Sequence, residues 1–82
     1  MSIEQHVRDY ILENFLFTTD AAALGVDESF LAKGIIDSTG MLEVIYFLED
    51  KFSIRIDDAE MIPENLDSVS NIVRFVERKT RK

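Results

Sequence analysis

Three stretches of this chain repeat apolar residues at helical spacing, and no stretch alternates long enough to build a sheet. Ile3, Val7, Tyr10 and Ile11 form the first stripe, which Phe15 continues. Met41, Val44, Ile45, Leu48 and Phe52 form the second, with Phe47 at its border. Val69, Ile72, Val73 and Val76 form the third. Residues three and four apart share one helix face, so each stripe predicts an amphipathic helix with a side to bury. The segment Phe52-Ser53-Ile54-Arg55-Ile56 alternates for five residues but has no strand partner, so it reads as an extended connector. At 82 residues the chain is expected to be one domain, 1–82.

Punctuation sets the boundaries. Ser2 and Gln5 fit an S-x-x-Q capping box and start the first helix. Phe17-Thr18-Thr19-Asp20 reads as its end. A long connection then runs from about Thr18 to Ile36, in which Ala21-Ala22-Ala23-Leu24 suits a short helical turn. Loops this long are uncommon in small domains unless they have a task. Phe30, Leu31, Ile35 and Ile36 are expected to pin it across the core. The second helix runs from about Ser38 to Lys51. Asp57 is placed to cap a short helix over Asp58–Ile62, which Pro63 should end. The last helix starts near Asp67 or Ser68, and Arg78, Lys79, Arg81 and Lys82 favour its negative end.

Charge and composition exclude several function classes. The net charge is −7, which argues against nucleic-acid binding, where Lys and Arg must neutralise phosphates. From Glu13 to Asp67 there are 13 acidic residues against three basic ones. An acidic centre suits partners with basic surfaces. No segment reaches the roughly 20 apolar residues of a membrane span, the start carries no secretory pattern, and cysteine is absent. An intracellular, cytoplasmic protein is expected. His6 is the one histidine; it is predicted on the exposed side of the first helix and far in sequence from any nucleophile, so no Ser-His-acid arrangement is expected. The Asp57-Asp58 and Glu49-Asp50 pairs lack calcium-loop spacing, so no metal site is expected.

Ser38 stands out. It opens the second helix directly after Asp37, beside backbone N–H groups that have no intrahelical partner, at the positive end of the helix dipole. A phosphate ester there would be well placed. An N-cap role for Asp37 or Ser38 would equally explain the pair. On the arc opposite the second stripe lie Leu42, Glu43, Tyr46, Glu49 and Asp50, a mixed apolar and acidic strip that reads as a docking surface.

The order of elements and these motifs resemble the acyl carrier protein family. The residues that carry the resemblance are Gly34-Ile35-Ile36-Asp37-Ser38 after a hydrophobic loop, then Glu43 and Glu49-Asp50-Lys51-Phe52 on the acidic helix. Ile54-Arg55-Ile56-Asp57-Asp58 and Pro63-Glu64-Asn65-Leu66-Asp67-Ser68 are also similar to stand-alone members. The resemblance covers essentially the whole chain. It implies an all-α bundle of three main antiparallel helices plus one short helix. It implies that Ser38 is esterified by 4′-phosphopantetheine, which a phosphopantetheinyl transferase takes from coenzyme A, and that acyl cargo then rides on the arm as a thioester. Asp37 would assist the transferase and its metal. Glu43, Glu49 and Asp50 match acidic recognition positions, and Leu42 and Tyr46 apolar ones. The expected partners are that transferase and acyl-loading and acyl-transfer enzymes with basic docking surfaces. The chain itself would be a monomeric carrier, not an enzyme.

Thr39-Gly40 departs from the pattern, which has leucine after the serine in many members. Threonine at this docking position offers less apolar area. Gly40 weakens the first helical turn and is read as room for the arm or a partner. The departure favours a specialised acyl, polyketide or aminoacyl pathway over general fatty-acid synthesis. An aminoacyl or peptidyl carrier and an unmodified acidic adaptor for basic partners remain the alternatives.

Overall fold

Among the residues that the computed structural model describes, 2–80, every regular element is helical. Arg81 and Lys82, assigned above to the end of the last helix, lie outside the described residues. Helix α1 spans Ile3–Ile11 and runs into one turn of π-helix, Leu12–Leu16. Helix α2 spans Ser38–Phe52, the short α3 Pro63–Leu66 and α4 Val69–Thr80. Single 3₁₀ turns form at Ala21–Ala23 and Asp58–Glu60. The architecture is the helical bundle that the resemblance implies.

Each helix begins where its cap dictates. Ser2 Oγ accepts the Gln5 N–H at 3.1 Å. The Gln5 side chain does not return the bond: it donates forward to Asp9 Oδ1 at 2.8 Å, so only half of the expected box forms. Ser68 Oγ accepts the Asn71 N–H at 3.1 Å and opens α4. Pro63 does not end a helix; it starts one. The preceding turn stops at Glu60, Ile62 is extended (φ −121°, ψ 154°), and proline occupies the first position of α3, where its missing N–H costs nothing. The expected helix over 58–62 is therefore a single turn over Asp58–Glu60, and a separate helix follows it at Pro63.

Rings order the α1–α2 pair. His6 packs edge-on against Phe52 at 6.0 Å, Tyr10 stacks on Phe47 at 4.0 Å and 11°, and Phe15 meets Tyr10 edge-on at 6.0 Å. The early residues of α1 thus meet the late residues of α2, which makes the two antiparallel. His6 is half-buried in this row, not on the exposed side predicted for it. The Tyr10 hydroxyl donates to the Glu43 carbonyl at 3.3 Å; desolvation, and then the Glu43 carboxylate, raise its pKa.

The predicted stripes supply most of the core: Val7, Ile11, Val44, Ile45, Leu48, Val69, Ile72 and Val76 are buried. Leu24 and Phe75, which fall outside those stripes, are buried with them. Phe30 and Ile36 pin the long loop as expected. Leu31 does not: it is 47% exposed.

The loop holds its path because its backbone polar groups find partners. The Phe30 N–H donates to the Asp67 carbonyl at 2.8 Å, and the Ser70 N–H donates to Val26 at 2.8 Å. The Asp67 carboxylate accepts the Ser29 hydroxyl and, at 3.0 Å, the Leu31 N–H. Removing it strands the part-buried Ser29 hydroxyl and the more exposed Leu31 N–H. Asp67→Ala is expected to cost about 2 kcal/mol, and Asp67→Asn less, because one acceptor remains. Urea midpoints measure this, and an unchanged Asp67→Ala midpoint would refute the clamp.

Lys79 on α4 pairs with Glu60 at 2.9 Å. This hydrogen bond, and then the Asp57 N–H, hold the Glu60 pKa below its ordinary 4.5. A carboxylate with a lowered folded value stabilises above its unfolded value and loses that stabilisation as pH falls through the folded one. Wild type should therefore exceed Glu60→Gln in thermal midpoint at pH 7. The gap should close as the pH drops below 4.5. A gap that persists at pH 2 would count against the pairing.

Candidate functional site

Asp37 makes the N-terminus of α2. Its backbone is extended (φ −94°, ψ −176°), and its Oδ1 accepts the Gly40 N–H at 2.7 Å. Of the two candidate caps, the aspartate is the one used. Ser38 is thereby the first residue of the helix, exposed, and no hydrogen bond engages its hydroxyl among the described residues. The Ser38 and Thr39 N–H groups lie in the first turn, where helix geometry provides no intrahelical acceptor.

A cleft of about 230 Å³ opens beside Ser38. Met41, Leu42 and Ile45 of α2 form one wall. Met61, Ile62 and Leu66 form the other, and Leu31 reaches in from the loop. Asp67 is the one charged residue in this lining. Leu31, Leu42 and Ile62, three of the five exposed large apolar residues among those described, border this cleft. The sequence marked Leu42 but missed Leu31, Met61 and Ile62. Their signal is weak: loop residues with no periodicity, whose convergence depends on the Asp67 clamp and on the break at Ile62.

The strip on the outer arc of α2 is present. Leu42 is 47% exposed and Tyr46 66%. Thr39, Glu43 and Asp50 are exposed around them. Glu49 differs: it is half-buried, and its Oε2 accepts the Ile56 N–H at 2.9 Å, which anchors the connector after α2. One of its oxygens is thus committed within the chain.

His6 and Ser38 do not come together. His6 packs on Phe52, the last residue of the 15-residue α2. Ser38 is its first, about 21 Å away at 1.5 Å per residue. Among the described residues no cluster of three His, Cys, Asp or Glu side chains could hold a metal ion. None of the described helices is long and apolar enough to cross a membrane.

Gly40 has a structural explanation that the sequence hid. A Cβ there would lie 2.9 Å from Phe15 Cε1 and 3.2 Å from the capping Asp37 Oδ1. The room at Gly40 is filled by the chain's own Phe15, not left for an arm or a partner.

No family model matches the chain. It is 31% identical over 77 residues to an acyl carrier protein of Campylobacter hominis, covering 94% of this chain and 92% of the relative. A Campylobacter concisus acyl carrier protein is 28% identical over 78 residues, covering 95% and 96%. A D-alanyl carrier protein of Streptococcus pyogenes is 35% identical over 77 residues, covering 94% of each.

Replacing a helical glycine by alanine ordinarily stabilises by up to about 1 kcal/mol. Gly40→Ala should do the reverse, by about 1 kcal/mol, because the methyl displaces a ring already locked against Tyr10 and presses on the cap. Gly40→Ala combined with Phe15→Leu should recover part of the loss. A single variant more stable than wild type in urea would defeat this account.

Proposed function

The chain belongs to the acyl carrier protein family, and we propose that it tethers acyl cargo as a thioester on a 4′-phosphopantetheine arm esterified to Ser38. The observation that carries the proposal is the exposed Ser38 hydroxyl in the first turn of α2, with an apolar cleft beside it. The residues present fit the group. The hydroxyl is open to an incoming enzyme, the helix end favours a phosphodiester, and the cleft gives adjoining apolar surface. The arm, when bound, supplies the thiol that holds the cargo.

Ser38 Oγ would attack the β-phosphorus of coenzyme A. The new P–O bond forms as the pyrophosphate P–O bond breaks. Adenosine 3′,5′-bisphosphate leaves, and the serine proton passes to a base on the transferase. Asp37 keeps Ser38 at the helix start with one carboxylate oxygen, and its other oxygen is the proposed contact for the transferase's metal. Thr39, Leu42, Glu43, Tyr46 and Asp50 would form the docking face, with Glu49 contributing its second oxygen. Basic surfaces on the transferase and on acyl-loading and acyl-transfer enzymes would meet it. The chain acts as their substrate and shuttle, and we place it in the cytoplasm as a monomer.

The cargo belongs to fatty-acid, polyketide or specialised acyl chemistry. Aminoacyl cargo is the second reading, favoured by the similarity to a D-alanyl carrier protein. Thr39 in place of an apolar docking residue supports dedicated partners over a general synthase. Gly40 no longer bears on that choice, because Phe15 accounts for it.

Intact mass spectrometry after incubation with coenzyme A and a broad-specificity transferase tests the proposal. Wild type should gain one phosphopantetheine and Ser38→Ala none. Asp37→Asn keeps a good cap, so its urea midpoint should stay within about 0.5 kcal/mol of wild type while loading slows. Glu43→Lys with Asp50→Lys should slow loading at little cost in stability, since exposed charges contribute little. No gain by wild type would end the carrier reading; equal rates in the charge-reversed variant would remove the docking face.

A further inference from the structure

We propose that Phe17 anchors a second docking surface, at the serine-bearing end of the bundle, and that its occupant is an apolar pocket with a basic rim on the phosphopantetheinyl transferase. The inference rests on the carrier reading of Ser38.

Phe17 closes the π-turn in the left-handed region, at φ 53° and ψ 43°. Helices often exit through this conformation, but the residue there is usually glycine, because a Cβ is disfavoured. A bulky aromatic is an outlier. Burial does not compensate: the ring is 83% exposed, the most exposed of the large apolar side chains. Phe17 thus strains the backbone and packs against little, a combination with no benefit to the isolated fold. Strained positions that persist often belong to binding or switching sites.

Its position fits a partner of Ser38. Phe15 reaches Gly40, two residues after Ser38. Phe17 lies two residues beyond Phe15, so its Cα is within about 7 Å of the Cα of the residue whose ring tip makes that contact. Glu13, Thr18 and Thr19 line a shallow depression with the ring. Between residues 9 and 32 the chain carries Asp9, Glu13, Asp20, Asp27 and Glu28 and no Lys or Arg. Of these, Glu13 lies in the depression with the ring, and an aromatic ring beside a carboxylate complements an apolar pocket edged by Lys or Arg.

Geometry selects the transferase among the carrier's partners. The ester bond forms at Ser38 itself, so the enzyme that makes it must cover this end. Enzymes that act on the thiol share the α2 strip but reach their cargo through the length of the arm, so they need not cover Phe17. A typical interface takes about 800 Å² per partner, a patch roughly 30 Å across, wide enough to include both the α2 strip and Phe17.

Steady-state loading by a purified broad-specificity transferase, read by intact mass, tests the surface in wild type, Phe17→Gly, Phe17→Asn and Phe17→Leu. Glycine and asparagine accept the left-handed conformation, so urea midpoints should equal or exceed wild type. KM should rise about tenfold for both with kcat unchanged, the size of a modest hot spot, and Phe17→Leu should recover part of it. Wild-type KM in the glycine and asparagine variants overturns the proposal. So does a wild-type dimer in sedimentation that disperses in Phe17→Gly at unchanged KM, since the ring would then belong to a second copy. A wild type that accepts no phosphopantetheine fails the carrier reading itself, whereas equal loading of all four proteins fails only this surface.

Discussion

The Asp67 carboxylate holds together the part of this fold that simple helix pairing cannot. Three helices can bury their stripes without specifying the path of a long connection between the first two. Asp67 sits just before α4, where it takes the Ser29 hydroxyl and the Leu31 N–H while its carbonyl takes the Phe30 N–H. With Ser70 donating to Val26, this fixes the loop on the α3–α4 junction. Phe30 can then fill the core, Ile36 follows it in, and Asp37 arrives extended and ready to cap α2. The placement of Ser38 is thus determined from both directions: by its own cap, and by an anchor 29 residues downstream in sequence.

The same clamp shapes the cleft. Leu31 is held by its backbone N–H, so its side chain stays over the opening while Phe30 beside it is buried. Ile62 is extended ahead of Pro63, which turns it toward the same opening. Two apolar residues therefore border the cleft for backbone reasons, and a purely hydrophobic ordering would have buried them.

Helical periodicity made the long elements and most of the core readable in the sequence, and the cap preferences located Ser38 within one residue. What the sequence hid depended on contacts between distant segments. Leu31 and Phe30 are both loop apolar residues and both donate to Asp67, yet only Phe30 is buried. His6 falls off the main stripe, yet Phe52 supplies a ring for it. Gly40 looks like a weak point in a helix until Phe15 is seen against it. Glu49 is indistinguishable from Asp50 by composition, but Ile56 takes one of its oxygens. The break before α3 was signalled by Pro63, which is favoured at a helix start as much as beyond a helix end.

These assignments separate the acidic surface into groups that hold the fold and groups that face outward. Asp37, Glu49, Glu60 and Asp67 each accept at least one backbone N–H. Glu43 and Asp50 are exposed on the outer arc of α2 beside Leu42 and Tyr46. A charge in the first set is fixed by a directed hydrogen bond, so removing it moves the backbone. A charge in the second set acts through its field, which salt screens and which a lysine can reverse without repacking. On the proposed docking reading, the second set can be varied while the first keeps the serine in place. Phe17 extends that logic to the backbone itself, because a left-handed exit that glycine would make at no strain instead carries an exposed ring.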